Sequence, residues 1–279
     1  MQLHIIQTGT VKITQNWLRG KGPEALRLAR TLLDRSFTDW LPVNCFIIEH
    51  PEGLIVVDTG IRTNANDRIW FPPFMPLVQR AAPFQITAEQ EIGPQMERLG
   101  LNPQDVRWLV QTHLHQDHEG GFAFFLQAEV IISRAEWAAA QGLMGRMRGY
   151  LNWRWPENLN PTLIDFTSSS AVPQFTGSHT LTEAGDVLLV STPGHSAGHL
   201  SVIVEQGDHT VMIAGDAAYS QVLLLEDAID GVGPDPAAQR DSHARILAYA
   251  RVTPTIFLPS HDPDAATRLA EQTYLPVPE

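Results

Sequence analysis

Short apolar runs with strand character, interleaved with helical patterns, predict an α/β layered domain for this chain of 279 residues. The composition agrees: 43% hydrophobic and 18% charged residues exclude a disordered chain or a coiled coil. The length can bury a sizeable core as one large domain or two small ones. No shift in composition marks a boundary, so a single domain over residues 1–279 is expected.

The elements follow in order. Strand-like runs fall at residues 3–6, 43–48 and 54–57, with a helical pattern opened by Pro23 and carried by Leu26, Leu28, Ala29 and Leu32 between the first two. Residues 84–100 read as helix, with a Thr87/Gln90 capping box at the start and Gly100 as the stop; Gly93-Pro94 would kink or split it. Further strand runs occupy 106–110, 130–132, 187–190, 200–204, 211–214 and 256–258, with helical patterns at 134–141 and 241–251. Residues 60–84 and 142–180 are long connections, a length that often serves as a lid or binding loop. Residues 18–42, an extended insertion between early strands, are expected to offer a homodimer contact.

Charge and cysteine usage narrow the classes. Nineteen Lys and Arg against 31 Asp and Glu leave a net charge of −12, which repels a phosphate backbone and argues against a nucleic-acid partner. Cys45, alone in the chain and inside an apolar run, excludes an internal disulfide and a cysteine zinc finger and reads as a buried strand residue. The N-terminal residues lack a signal-peptide pattern, and no run reaches the roughly 20 apolar residues of a bilayer span. A cytoplasmic protein without a membrane span is expected.

The segment His113-Leu114-His115-Gln116-Asp117-His118 places three His and one Asp within six residues, a density that points to metal ligation. It begins just past the strand run 106–110. The same design recurs: the runs at 187–190, 211–214 and 256–258 lead to His195, Asp216 and His261. If these strands share a direction, their carboxyl ends gather the ligands on one rim. His113, His115, Asp117, His118, His195, Asp216 and His261 are too many for one tetrahedral ion and suit two, with Asp216 as the natural bridge because a carboxylate has two oxygens. His199, close to His195 in sequence, is read as structural.

These pieces resemble the metallo-β-lactamase superfamily: Thr112 through Gly121, Pro193-Gly194-His195-Ser196, Gly215-Asp216 and His261, with Val56-Val57-Asp58-Thr59-Gly60 similar to the family's Asp-Thr-Gly turn. The resemblance implies a four-layer αββα sandwich with a dinuclear site at one edge of the sheets. It assigns His113, His115 and His195 to one ion, Asp117, His118 and His261 to the other, and Asp58 to support from behind. Two divalent ions are implied, with zinc expected and Mn, Fe, Co or Ni also suited to imidazole and carboxylate ligands.

Within the superfamily the chain resembles most the N-acyl-homoserine lactone lactonases, in which a Tyr follows the bridging Asp by three positions, as Tyr219 does here. The resemblance implies quorum quenching by opening of the lactone ring, through a hydroxide shared by the two ions. Tyr219 would stabilise the carbonyl oxygen and Asp117 would carry the proton. An acyl chain needs an apolar groove, for which Trp17, Trp70, Phe71, Phe74, Met75, Met144, Met147, Tyr150 and Trp153 are available without an individual contact assigned. The alternatives are hydrolysis of another ester, lactone, phosphotriester or β-lactam, and a metal-binding scaffold that dimerises through its aromatic loops. Two departures bear on substrate: Glu119 stands where related lactonases often carry a small residue, and residues 60–84 do not align.

Overall fold

The computed structural model describes residues 1–67, 76–166 and 170–277. Among these, two mixed β-sheets lie between helices. The first contains β1 (Gln2–Val11), β2 (Leu41–His50), β3 (Gly53–Val57), β4 (Phe84–Gln85), β5 (Val106–Val110), β6 (Glu129–Ser133) and β7 (Thr162–Ile164), in the order β4-β1-β2-β3-β5-β6-β7. The second contains β8 (Ser178–Thr180), β9 (Val187–Ser191), β10 (Leu200–Glu205), β11 (Thr210–Gly215) and β12 (Thr255–Pro259), in the order β12-β11-β10-β9-β8.

The period-2 alternation of side chains builds the layers. Phe46, Ile48, Ile55, Val57 and Val110 of the first sheet meet Leu189, Val202, Val204, Ile213 and Leu258 of the second. The intervening residues face outward. Cys45, Ile47, Val56 and Leu109 pack under Ile92 and Met96 of the helix Ile92–Arg98. Val190, Ile203, Met212 and Phe257 pack under Ile246 and Tyr249 of the helix Pro236–Ala250. Strands buried on both faces read as continuous apolar runs, which is why the sequence located them. The result is the four-layer sandwich. No helix among the described residues is long and apolar enough to cross a membrane.

Two expectations change. Residues 84–100 are not one helix. They open as β4, form a 3₁₀ turn at Ala88–Gln90 closed by the Thr87/Gln90 capping box, and restart as the helix Ile92–Arg98. The break falls at Glu91. Gly93 and Pro94 lie in the first turn, where a backbone N–H has no intrahelical partner to lose. The connection 142–180 holds structure of its own: the helix Gly142–Met147, β7 and β8. Trp70, Phe71, Phe74 and Met75 lie outside the described residues.

Strand direction positions the site. β11 runs parallel to β12, and β10 is antiparallel to both β9 and β11, so β9, β11 and β12 point the same way. In the other sheet β3 and β5 are parallel.

Candidate metal centre

Four strands lead at their carboxyl ends into loops that carry ligand-type residues. β5 delivers His113, β9 delivers His195, β11 delivers Asp216 and β12 delivers His261. The helical turn Gln116–Glu119 brings Asp117 and His118 back over the end of β5. Gly120 and Gly121 make that return possible. A Cβ at Gly120 would lie 2.7 Å from Gly60 O, and one at Gly121 would lie 2.8 Å from Thr59 O. The closeness is used: Gly120 N donates to Gly60 O at 2.8 Å, and Thr59 N donates to His118 O at 2.7 Å.

All seven expected ligands come together. The donor atoms of His113, His115 and His195 form one group and those of Asp117, His118 and His261 another, each within 4.8 Å of its fellows. Asp216 stands between them. Its Oδ2 lies 3.4 Å from His195 Nε2 and 3.9 Å from His113 Nε2, and its Oδ1 lies 3.3 Å from His261 Nε2 and 3.4 Å from His118 Nε2. Asp117 Oδ2 is 3.5 Å from His261 Nε2. His113 Nε2, His118 Nε2 and Asp216 Oδ1 are buried without a hydrogen-bond partner. Such atoms are costly unless something satisfies them, and a cation satisfies imidazole and carboxylate together. The donors fit a metal ion.

Outer contacts orient the imidazoles. His118 Nδ1 donates to Asp58 Oδ2 at 2.8 Å, His195 Nδ1 to Asp230 Oδ2 at 2.9 Å, and His261 Nδ1 to Pro42 O at 2.9 Å. Each bond fixes the ring so that Nε2 faces inward. Asp58 also accepts from Thr112 N and Oγ1, at a backbone φ of 59°. Asp230, unremarked in sequence because no motif surrounds it, further accepts from Val232 N, Gly233 N and Gln239 Nε2. Glu136 is fully buried and accepts from Leu114 N on one ligand loop and from Ser196 Oγ and Gly198 N on another. Sequence reading missed it because it belongs to an ordinary helix, Arg134–Ala139.

The electrostatics follow burial and neighbours. Burial and the surrounding imidazoles hold His113 and His115 well below the usual range, in the neutral form that ligates. Burial alone would lower His118, but Asp216, Asp58 and Asp117 more than reverse it. Burial pushes His199 down to about 3, and its Nε2 accepts from Asp216 N at 3.0 Å, a structural placement. Glu119 does not reach solvent. It is 3% exposed, and burial, offset in part by Arg154 and Arg62, pushes its carboxyl up to about 7.

Tyr219 lies over the cluster, its ring 5.2 Å from that of His261 and 5.7 Å from that of His195. It borders a cavity of about 860 Å³ whose floor includes His115, Asp117 and Asp216. The apolar wall comes from Val11, Ile13 and Phe84 and from Ala25, Leu28 and Leu32 of the helix Glu24–Leu33. Trp17, Met147 and Tyr150 line it too, whereas Met144 and Trp153 do not. The insertion at residues 18–42 thus walls the site within its own chain.

The chain is similar to known proteins. Residues 38–261 match the Metallo-beta-lactamase superfamily. The chain is 31% identical to an N-acyl homoserine lactonase of Bacillus cereus, over 84% of this chain and 90% of that one. It is 28% identical to the N-acyl homoserine lactonase AttM of Rhizobium radiobacter, over 81% and 83%. A solved N-acyl homoserine lactone hydrolase with N-hexanoyl-L-homoserine bound at its catalytic metal centre superposes with a TM-score of 0.75 at 26% identity, over 95% of this chain and 94% of that one. A Bacillus thuringiensis AiiA variant with N-decanoyl-L-homoserine in its active site gives 0.76 at 26% identity, with the same coverage.

Proposed function

The chain belongs to the metallo-beta-lactamase superfamily, and from that membership we propose that it is a dinuclear metal-dependent hydrolase that opens the lactone ring of N-acyl homoserine lactones, a quorum-quenching activity. One observation carries the proposal: a cavity that joins the seven-ligand cluster and Tyr219 to a long apolar wall. A polar ring with an apolar tail matches both ends.

His113, His115 and His195 would hold one cation and Asp117, His118 and His261 the other, with one Asp216 oxygen turned to each. Zinc suits these nitrogen and oxygen donors, as do Mn, Fe, Co and Ni. When bound, two such cations supply Lewis-acid polarisation of the ester carbonyl and a water ionised near neutral pH. The residues of the chain do the rest. Tyr219 Oη donates to the carbonyl oxygen as it gains charge. Asp117, 15% exposed at the border of the cavity, takes the proton released by the attacking water and passes it to the ring oxygen as the acyl carbon–oxygen bond breaks. Water is consumed and an N-acyl homoserine is released. The apolar wall holds the acyl chain.

The test is hydrolysis by zinc-loaded protein of hexanoyl and decanoyl homoserine lactones beside a cephalosporin, an aryl ester and a phosphotriester, with metal content measured on the same sample. Two equivalents of metal and fastest turnover of the acyl lactones are expected. Turnover confined to the other substrates assigns a different hydrolase, and two metals without turnover assign a scaffold. The expected homodimer is supported by Leu26 and Leu33, which are 51% and 64% exposed on the insertion; light scattering reads the mass.

A further inference from the structure

Tyr219 Oη lies 2.9 Å from Trp17 Nε1. Among the described residues this is the phenol's only hydrogen bond, although Tyr219 is only 5% exposed. An indole N–H can only donate, so the phenol oxygen accepts and its own proton stays uncommitted. Trp17 occupies one side of the oxygen, and the proton turns to the other. Both side chains line the same cavity as Asp117 and Asp216, and the Tyr219 ring lies 5.2 Å from that of His261. A bond donated to the oxygen also polarises the O–H and makes it a better donor.

The chain holds Trp17 in place from both sides. Thr14 Oγ1 accepts from Trp17 N at 3.2 Å, and Gly231 N donates to Trp17 O at 2.8 Å. A Cβ at Gly231 would lie 2.0 Å from Asn16 O, so only glycine permits this approach. The neighbouring residue is Asp230, which receives His195 Nδ1. The short helix Gln15–Leu18 is thereby tied to the loop that orients a ligand imidazole.

We propose that Trp17 is a positioning residue for the reaction: its indole N–H fixes the Tyr219 hydroxyl so that the phenol proton meets the substrate carbonyl. The proposal rests on the reading of Tyr219 as the carbonyl's donor. The experiment is a double-mutant cycle of Trp17→Phe and Tyr219→Phe on zinc-loaded protein with acyl homoserine lactones. It is paired with proton–nitrogen spectra of the indole N–H groups in the metal-free and the zinc-loaded protein. Trp17→Phe is expected to lower kcat about 10-fold with KM within about twofold, and to have no further effect once Tyr219 is Phe. The indole peak that vanishes in Trp17→Phe is expected to move upfield in Tyr219→Phe. If Trp17→Phe loses structure or zinc, Trp17→benzothienylalanine keeps the bicyclic shape without the N–H and must show the same kinetic pattern. A rise in KM alone, an effect that adds to that of Tyr219→Phe, or an indole peak unmoved by Tyr219→Phe overturns the proposal. Slow Tyr219→Phe with full-speed Trp17→Phe overturns the positioning role alone, whereas full-speed Tyr219→Phe removes the reading beneath it as well.

Discussion

Asp230 receives His195 Nδ1 while three other donors hold it in place. Burial would raise its carboxyl, but His195 and the Gly233 and Val232 N–H groups hold it below the usual range. Such outer partners typically govern metal affinity by 10–100-fold. Asp230→Asn is therefore expected to weaken one of two zinc equivalents by about that factor, read by competition with a coloured chelator; two unchanged equivalents would count against the role. Glu136 acts on the protein backbone instead. Glu136→Ala strands Leu114 N, Ser196 Oγ and Gly198 N in a dry interior. The expected cost is about 3 kcal/mol of stability, measured by urea unfolding of the metal-free protein, so that metal loss does not enter. The seven ligand-type residues were legible in sequence because their density and their position after apolar runs are local facts. Asp230 and Glu136 were not, since each is an ordinary acidic residue until the fold sets a ligand loop against it.

At the scale of elements, the turn that carries Asp117 and His118 is pressed against residues 59–62. The three nearest neighbours of a Cβ at Gly120 are all main chain, Gly60 O, Ile61 C and Arg62 N, within 2.9 Å. Main chain cannot rotate aside as a side chain can. Gly120→Ala should cost about 2 kcal/mol in thermal or urea unfolding, in the range for overpacked interiors, and should release zinc more readily than the parent. A neutral Gly120→Ala would show that the turn has room to shift. The doubly buried strands were readable as apolar runs. β4, β7 and β8, of two or three residues each, carry too short a pattern to announce themselves, and their pairing partners create them.

For the molecule as a whole, the centre concentrates imidazoles and carboxylates from both sheets at one rim, with buried donor atoms that lack partners. Ligands that bind only the folded state stabilise it by mass action, about 4 kcal/mol at a thousandfold excess over Kd. Chelation is accordingly expected to lower the melting temperature by roughly 10 °C in a domain of this size, with recovery on adding zinc, as read by calorimetry. An unchanged melting temperature would mean that the two sheets hold the rim together without metal. The β11–β12 parallel pair and the antiparallel β9–β10–β11 run explain why separate ligand loops reach one place.

The sequence by itself determined the layered α/β class, the longer strands of the two sheets, the ligand-type residues and their position at strand ends, because burial pattern and side-chain chemistry are written locally. Tertiary structure alone decided that the insertion at residues 18–42 walls the cavity, that Trp17 meets Tyr219 across 202 positions, and that Asp230 and Glu136 stand behind the ligand-type residues. Those facts depend on which surfaces face each other once the sheets pack, and no local pattern encodes the distance between residues so far apart in the chain.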